Sequence, residues 1–175
     1  MHIQGCLSYA LQLAQRYGAS EEEISTVALL HDSWRGTSPE ELLRLARLRT
    51  SYLRPIEIAY PDMLHGYLAA CWSEELHLNL STDLFWAIAW HTSGHPGFGK
   101  VGSILYIADA LEESRSYPGV AQLREQVAHM NLAEAALLIV QRTLIDYLQG
   151  HGYSPDPLTL AWEQKLLASL GGNDE

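Results

Sequence analysis

Histidine and aspartate residues interrupt the apolar pattern of this sequence at several separated points. The dipeptide His31-Asp32 directly follows an apolar helical pattern that begins at Ile24. Four more such residues have apolar neighbours on other predicted helices, namely His2, His65, His91 and Asp109. Burying so many ionisable groups is costly unless a partner compensates their charge. Because imidazoles and carboxylates that converge from several helices form the metal sites of helical bundles, these residues predict a metal centre.

The residue types indicate which metals such a centre would hold. Histidine and carboxylate ligands without a thiolate favour iron, manganese or zinc over calcium. One divalent ion seldom takes six protein ligands and stays reactive, whereas two ions that share a carboxylate leave positions for water and a phosphate oxygen. The ligand set therefore predicts two metal ions. For the His31-Asp32 pair by itself, a core histidine hydrogen-bonded to a carboxylate is the alternative interpretation.

Two arginines are candidates for binding a phosphate group beside these metals. Arg35 follows His31 by one turn on the predicted helix, and Arg115 follows the helix that carries Asp109. A guanidinium group can stabilise the charge that develops on phosphate oxygens. The alternatives are a surface position for Arg35 and ion pairs with neighbouring glutamates for Arg115.

The elements that must hold these residues are predicted to be helices. The 175 residues include 29 Leu and 19 Ala but only 21 Val, Ile and Thr together, which favours helices over strands. Ser20, Ser38 and Asn131 each stand three residues before a glutamate, as in a capping box. Asp62 and Thr82 or Asp83 are further candidate caps, and the other predicted helices cover 100–113, 120–130, 131–149 and 157–170. The sequence thus predicts one all-α domain over residues 1–175, a compact helical bundle with short loops.

Charge and composition exclude several classes of partner. The chain has 11 Lys and Arg against 21 Asp and Glu, a formal charge of −10, which disfavours duplex nucleic acid and anionic membranes as partners. No apolar run is long enough to span a membrane. Cys6 and Cys71 are isolated, so neither a disulfide framework nor a thiolate zinc site is indicated. We expect a cytoplasmic protein.

Short motifs follow one another in an ordered series along the chain. The series consists of His2-Ile3-Gln4-Gly5, Arg16-Tyr17-Gly18, Leu29-Leu30-His31-Asp32, Leu64-His65-Gly66, His91-Thr92-Ser93-Gly94-His95-Pro96-Gly97, Tyr106-Ile107-Ala108-Asp109, Glu112, Arg115 and Pro118-Gly119-Val120. This series resembles the YqeK family of HD-domain phosphohydrolases. The likeness covers residues 2–157 and implies a single HD domain that the C-terminal helix, about 157–170, completes.

The resemblance also implies the roles of the candidate residues. One metal would be held by His2, His31, Asp32 and Asp109, and the second by His65 and His91, with Asp32 as the bridging ligand and catalytic residue. Iron is the metal common in this family, with manganese or another transition metal as alternatives. The implied reaction is the symmetrical hydrolysis of diadenosine tetraphosphate to two ADP by a metal-activated water. The expected partner is a small nucleotide, and a homodimer is left open.

Two departures from the family pattern concern phosphate binding. Arg35 stands where the family has lysine, and His95 stands where it has arginine, so a phosphate contact at His95 would depend on pH. Together with Arg115, these residues are the predicted substrate-binding set. Because His2 directly follows Met1, we expect either that the metal holds this end of the first helix in place or that the natural protein begins earlier.

Two other functions are compatible with the same motifs. An HD phosphohydrolase could act on mononucleotides or phosphodiesters, and the fold could serve as a non-catalytic nucleotide-binding or interaction module. The presence of all six candidate ligands favours an enzyme.

Overall fold

The structure, a computed structural model, describes residues 2–172. Over this range the chain forms α-helices joined by short connections and contains no β-strand, which confirms the all-α prediction. The helices are α1 (His2–Tyr17), α2 (Glu21–Leu30), α3 (Pro39–Arg49), α4 (Pro55–Ala59), α5 (Leu64–Glu75), α6 (Thr82–Ala89), α7 (Lys100–Leu111), α8 (Val120–Val127), α9 (Leu132–Val140), α10 (Asp146–Gly150) and α11 (Pro157–Gly171).

Most of the predicted helix starts are confirmed by side-chain caps. The side chains of Ser20, Ser38 and Asn131 each accept a hydrogen bond from the backbone N–H three residues later. Two predicted caps are wrong. Ser81, rather than Thr82 or Asp83, caps α6, and a 3-10 turn, Pro61–Met63, leads into α5 without a side-chain cap from Asp62.

Two helices end earlier than the periodicity indicates. Helix α2 ends at Leu30, and the six residues after it form turns. The N–H of Arg35 bonds to the carbonyl of Asp32, a three-residue step that is tighter than an α-helix. Arg35 therefore lies in a turn rather than on the helical face predicted for it. Likewise α6 ends at Ala89, and His91 lies in the turn beyond it.

Helix α7 is the central element of the core. Its residues from Val101 to Ala108 are all buried, and the helix packs against α1, α6 and α9. Helix α11 packs on α9 and contributes Trp162, a fully buried side chain. The predicted helix over 131–149 is present as α9 and α10, joined by a π-helical turn, Gln141–Ile145. Residues 2–172 contain no helix that is long and apolar enough to cross a membrane.

Candidate metal centre

The six predicted ligands lie together in the structure, although they come from five separate parts of the chain. His2 begins α1, the His31-Asp32 pair follows α2, His65 lies in the first turn of α5, His91 follows α6, and Asp109 lies in the last turn of α7. The contacts of α1 with α2 and α7, and of α5 with α6, hold these helix ends at one point.

Asp32 lies at the centre of this cluster. Its Oδ1 atom is 3.1 Å from Nε2 of His65 and 3.5 Å from Nε2 of His91. Its Oδ2 atom is 3.4 Å from Nε2 of His2 and 3.7 Å from Nε2 of His31. Each oxygen of this carboxylate therefore faces one pair of imidazoles.

The backbone orients three of the four imidazoles in the same way. Each ring donates from Nδ1 to the carbonyl three residues earlier, from His31 to Ala28 at 2.8 Å, His65 to Asp62 at 2.5 Å and His91 to Ile88 at 2.8 Å. With the proton on Nδ1, the Nε2 lone pair points into the cluster. This arrangement is the one in which histidines ligate metals.

The fourth imidazole is oriented by a buried glutamate. Nδ1 of His2 lies 3.0 Å from Oε1 of Glu112, while its Nε2 lies 2.9 Å from Oδ1 of Asp109. Glu112 is fully buried, and its carboxylate also accepts hydrogen bonds from the backbone and hydroxyl groups of Ser114. The motif resemblance includes Glu112 but did not assign it this role. Its spacing of three residues from Asp109, which places both residues on one side of a helix, could have indicated that it lies near the cluster.

Gly66, in the motif Leu64-His65-Gly66, allows α5 to approach the turn after α6. A Cβ atom at Gly66 would lie 2.7 Å from the carbonyl oxygen of Ile88 and 2.9 Å from Nδ1 of His91. Any larger residue would therefore displace the backbone acceptor and the ring that it orients.

The pKa values of His31, Asp32 and Asp109 are shifted toward the forms that bind cations. Burial lowers the pKa of His31 to about 4, and the nearby His91 adds to this shift. Burial by itself would raise the pKa of Asp32, but the imidazoles of His65 and His91 outweigh it and hold that pKa far below its usual range. For Asp109, burial likewise raises the pKa, but the hydrogen bond with His2 and the nearby imidazoles and Arg115 together lower it. An ionised carboxylate and a neutral imidazole are the forms that ligate metals, and the shifts at Asp32, Asp109 and His31 favour them. The hydrogen bond with Asp109 raises the pKa of His2 instead.

Two buried polar atoms in the cluster have no hydrogen-bond partner among the described residues, Nε2 of His31 and Oδ1 of Asp32. The ligand atoms form two groups that share His31, each with all atoms within 4.8 Å of one another: His2, His31 and Asp109, and His31, Asp32 and His91. Such unpaired buried atoms need an explanation, and a cation bound among them would supply one. The residues therefore fit a centre of divalent metal ions.

Both predicted arginines lie beside the cluster. Nη1 of Arg35 is 2.8 Å from Oδ2 of Asp32. Arg115 binds Asp109 twice, through Nη2 to Oδ1 at 2.5 Å and through Nε to the backbone carbonyl at 2.8 Å. Together with His2, these residues line a cavity of about 650 Å³ that opens on the cluster. Its lining thus combines the cationic groups of Arg35 and Arg115 with the candidate ligands His2 and Asp32.

His95 lies in an aromatic environment. Its ring centroid is 4.8 Å from that of Trp86 and 6.1 Å from that of Trp90, and it is nearly parallel to the latter ring. Its Nδ1 accepts a hydrogen bond from the N–H of Gly97 at 3.0 Å. Partial burial lowers the pKa of His95, and the positive charge of Arg54 lowers it further. The phosphate contact of His95 stays a prediction.

Curated relatives share most of the length of this chain. It is 30% identical to a symmetrical bis(5'-nucleosyl)-tetraphosphatase of Halalkalibacterium halodurans. The match extends over 166 residues and covers 95% of this chain and 87% of that protein. This chain is 27% identical over 145 residues to the protein of the same name in Bacillus subtilis, covering 83% and 77% of the two chains.

A solved structure and a family model agree with these relatives. A crystal structure from Clostridium acetobutylicum, described as a predicted HD superfamily hydrolase involved in NAD metabolism, has a similar fold, with a TM-score of 0.86. The two chains are 26% identical, and the match covers 96% of this chain and 88% of the other. The HD domain family model matches residues 1–114, a range that contains all six clustered residues. The chain therefore belongs to the HD domain family, and its curated relatives within that family are the symmetrical bis(5'-nucleosyl)-tetraphosphatases.

Proposed function

We propose that this chain is a metal-dependent phosphohydrolase that cleaves diadenosine tetraphosphate symmetrically into two ADP. The observation that carries the proposal is the convergence of four imidazole Nε2 atoms and two carboxylates beside a cavity with two arginines. The names of the relatives supply the substrate class, a bis(5'-nucleosyl) tetraphosphate, and the motif resemblance supplies adenosine as the nucleoside.

The proposed ligands divide into two sets that share Asp32. His2, His31, Asp32 and Asp109 would hold one ion, and His65, His91 and Asp32 would hold the other. We propose iron for both, and the ligand types suit manganese or another transition metal as well. When bound, two such cations would neutralise phosphate charge and lower the pKa of a water molecule toward neutrality.

The remaining residues orient the ligands and stabilise the charge of the phosphate groups. Arg35 and Arg115 donate hydrogen bonds to phosphate oxygens, where a guanidinium group can make two parallel contacts. Asp32 joins the two sets of ligands, because each of its carboxylate oxygens faces the imidazoles of one set. Glu112 holds the His2 ring in the orientation that presents Nε2. Cleavage of the central phosphoanhydride bond leaves two phosphates on each nucleoside, so the sole product is ADP.

Product analysis tests this function directly. The protein is incubated with diadenosine tetraphosphate and either manganese or, under anaerobic conditions, ferrous iron. The nucleotides are then separated and identified by mass spectrometry. ADP alone supports the proposal. ATP with AMP contradicts symmetrical cleavage, turnover of mononucleotides or phosphodiesters alone indicates a different HD phosphohydrolase, and binding without turnover indicates a non-catalytic module.

A matched pair of variants links that activity to the cluster. Asp32→Asn removes the shared negative charge with little change of shape, and we expect kcat/KM to fall by at least about 100-fold, more than the loss typical of outer-shell partners. Asp83→Asn makes the same chemical change at an exposed position on α6 and should retain activity. Equal activity of the two variants would contradict the role of the cluster.

A further inference from the structure

A second, mainly apolar cavity of about 490 Å³ adjoins the candidate metal centre. We call it the tyrosine pocket and define it by Ile56, Tyr60, Ser93, Tyr147, Leu148 and Tyr153. It lies between the α4 region on one side and α10 with the start of α11 on the other.

The tyrosine pocket lies next to a smaller cavity that borders the cluster. Thr92 and Leu144 line both this pocket and a smaller cavity of about 190 Å³, whose wall also includes His91 and Arg115. Thr92 is the residue next to His91 in the chain. The two cavities therefore lie side by side at the turn that carries His91.

Ser93 provides an unused polar group in this pocket. The residue is 2% exposed, and its hydroxyl has no hydrogen-bond partner among the described residues. Its backbone carbonyl is occupied, because it accepts a hydrogen bond from Oγ1 of Thr159 at 2.7 Å. A buried hydroxyl without a partner is unfavourable in the free protein, so it indicates a ligand that can donate to it or accept from it.

Aromatic rings surround the pocket. Tyr60 and Tyr153 meet edge to face with centroids 6.2 Å apart, and Tyr60, Tyr147 and Tyr153 are each about half exposed. The π-helical turn Gln141–Ile145 precedes Tyr147 and shifts the register of the helix at this cavity, and such turns are frequent at functional sites.

The charge of the pocket argues against a phosphate as its occupant. Asp156 is the charged residue of its lining, and it pairs with Arg54 across the two walls at 2.5 Å. A phosphate group in the pocket would meet this carboxylate and apolar side chains, whereas a flat heteroaromatic ring would meet tyrosines and one free hydroxyl.

From these observations we propose that the tyrosine pocket binds one nucleobase of the dinucleotide, with Tyr147 and Tyr153 against the ring and Ser93 on a polar edge. This inference rests on the proposed function. With one base held there, the distance to the cluster determines which phosphate reaches the metals. These residues therefore determine specificity for a nucleoside diphosphate unit on one side of the cleaved bond.

The test measures binding of ADP to the metal-loaded protein by calorimetry, and binding of inorganic tripolyphosphate as the ligand without a base. For Tyr147→Ala and Tyr153→Ala we expect the Kd for ADP to rise about tenfold, the loss typical of one base–aromatic contact. For Ser93→Ala we expect a rise of about threefold to tenfold. The Kd for tripolyphosphate should stay within twofold of the wild type in all three variants.

Tyr52→Ala is the control, because Tyr52 is 71% exposed and lies outside the pocket. The Tm of Ser93→Ala separates the ligand role from a structural one. An unpartnered hydroxyl contributes nothing to folding, so Tm should not fall, whereas a structural role would lower it.

Unchanged ADP affinity in the tyrosine variants, an equal loss of tripolyphosphate binding, or no ADP binding by the wild type would each overturn the base site. The proposed function fails separately. If the wild type leaves diadenosine tetraphosphate intact but the variants weaken ADP binding, the base site stands and the reaction is different.

Discussion

A Cβ atom at Gly5 would lie 2.2 Å from Oε2 of Glu112, so α1 and the end of α7 meet without room for a larger side chain. Glu112 has little freedom to move away, because it is fully buried and its carboxylate contacts both His2 and Ser114. Gly5 therefore lets α1 approach closely enough for His2 to reach the cluster.

We expect Gly5→Ala to weaken metal binding by about tenfold or more, because it displaces the carboxylate that orients His2. The helix itself would gain about 0.5–1 kcal/mol from the exchange, which offsets part of the clash in the free energy of unfolding. Metal titration and thermal unfolding measure the two effects. Gly150→Ala, with no atom within 4 Å of the added Cβ, should leave metal affinity unchanged.

Glu112→Gln tests the orienting contact by itself. The amide keeps the size of the side chain but loses the charge that favours the Nδ1–H form of His2, so we expect metal affinity to fall by about 10- to 100-fold. Calorimetric titration with manganese measures this change. The exposed neighbour provides the control, because Glu113→Gln should bind metal as the wild type does. Equal affinities would contradict the role given to Glu112.

Arg35→Ala should affect substrate more than stability. The side chain of Arg35 is 52% exposed, so loss of its ion pair with Asp32 should change the free energy of unfolding by less than about 1 kcal/mol. We expect KM for diadenosine tetraphosphate to rise about tenfold, since a charge-assisted contact to phosphate is lost. Arg35→Lys should recover part of this loss. Arg44→Ala removes another exposed ion pair and should leave KM unchanged.

The lowered pKa of His95 predicts a pH dependence of stability. Above the ordinary histidine pKa of 6.5, the folded and unfolded states are both neutral at this residue, so its effect on stability is constant. As the pH falls below 6.5, the unfolded chain binds the proton first, and the free energy of unfolding decreases until the folded pKa is passed.

His95→Asn should make that decrease smaller, while its side-chain oxygen can still accept from Gly97. Urea unfolding of the metal-free variant and wild type between pH 7.5 and 5 (about 1 unit above and about 1.5 units below the ordinary pKa) measures the difference. The other histidines cancel in this comparison. Parallel curves for the two proteins would refute the shift.

Metal removal should loosen the first turn of α1 only. His2 is tied to the cluster, whereas Cys6, Ala10, Leu13 and Ala14 are buried in the core. Without metal we expect faster amide exchange at Cys6, whose N–H bonds to the His2 carbonyl in an α-helix, and no change at Leu13. Hydrogen exchange with and without chelator measures both. Equal protection of residues 2–12 in the two states would contradict the idea that metal holds this end.

Local sequence patterns predicted most of the helices and the residues of the cluster. Apolar periodicity and capping residues located most helices, and the positions of histidines and aspartates within apolar segments identified the cluster. These are local properties. A capping residue bonds only to the first turn of its own helix, and a buried polar residue can be recognised because its neighbours in the sequence are apolar. The short α4, the 3-10 turn before α5 and the π-helical turn were not predicted, since their backbone is selected by packing rather than by the residues themselves.

Other features depended on the tertiary structure. The orientation of His2 requires Glu112, which is 110 residues away, and the tyrosine pocket combines α4 with α10 and α11. The early end of α2 placed Arg35 in a turn, yet still beside Asp32. The sequence by itself thus determined the candidate residues for the chemistry, because their types and spacing are encoded locally. Only the tertiary structure decided which atoms face one another, because contacts between distant segments depend on how all the helices pack together.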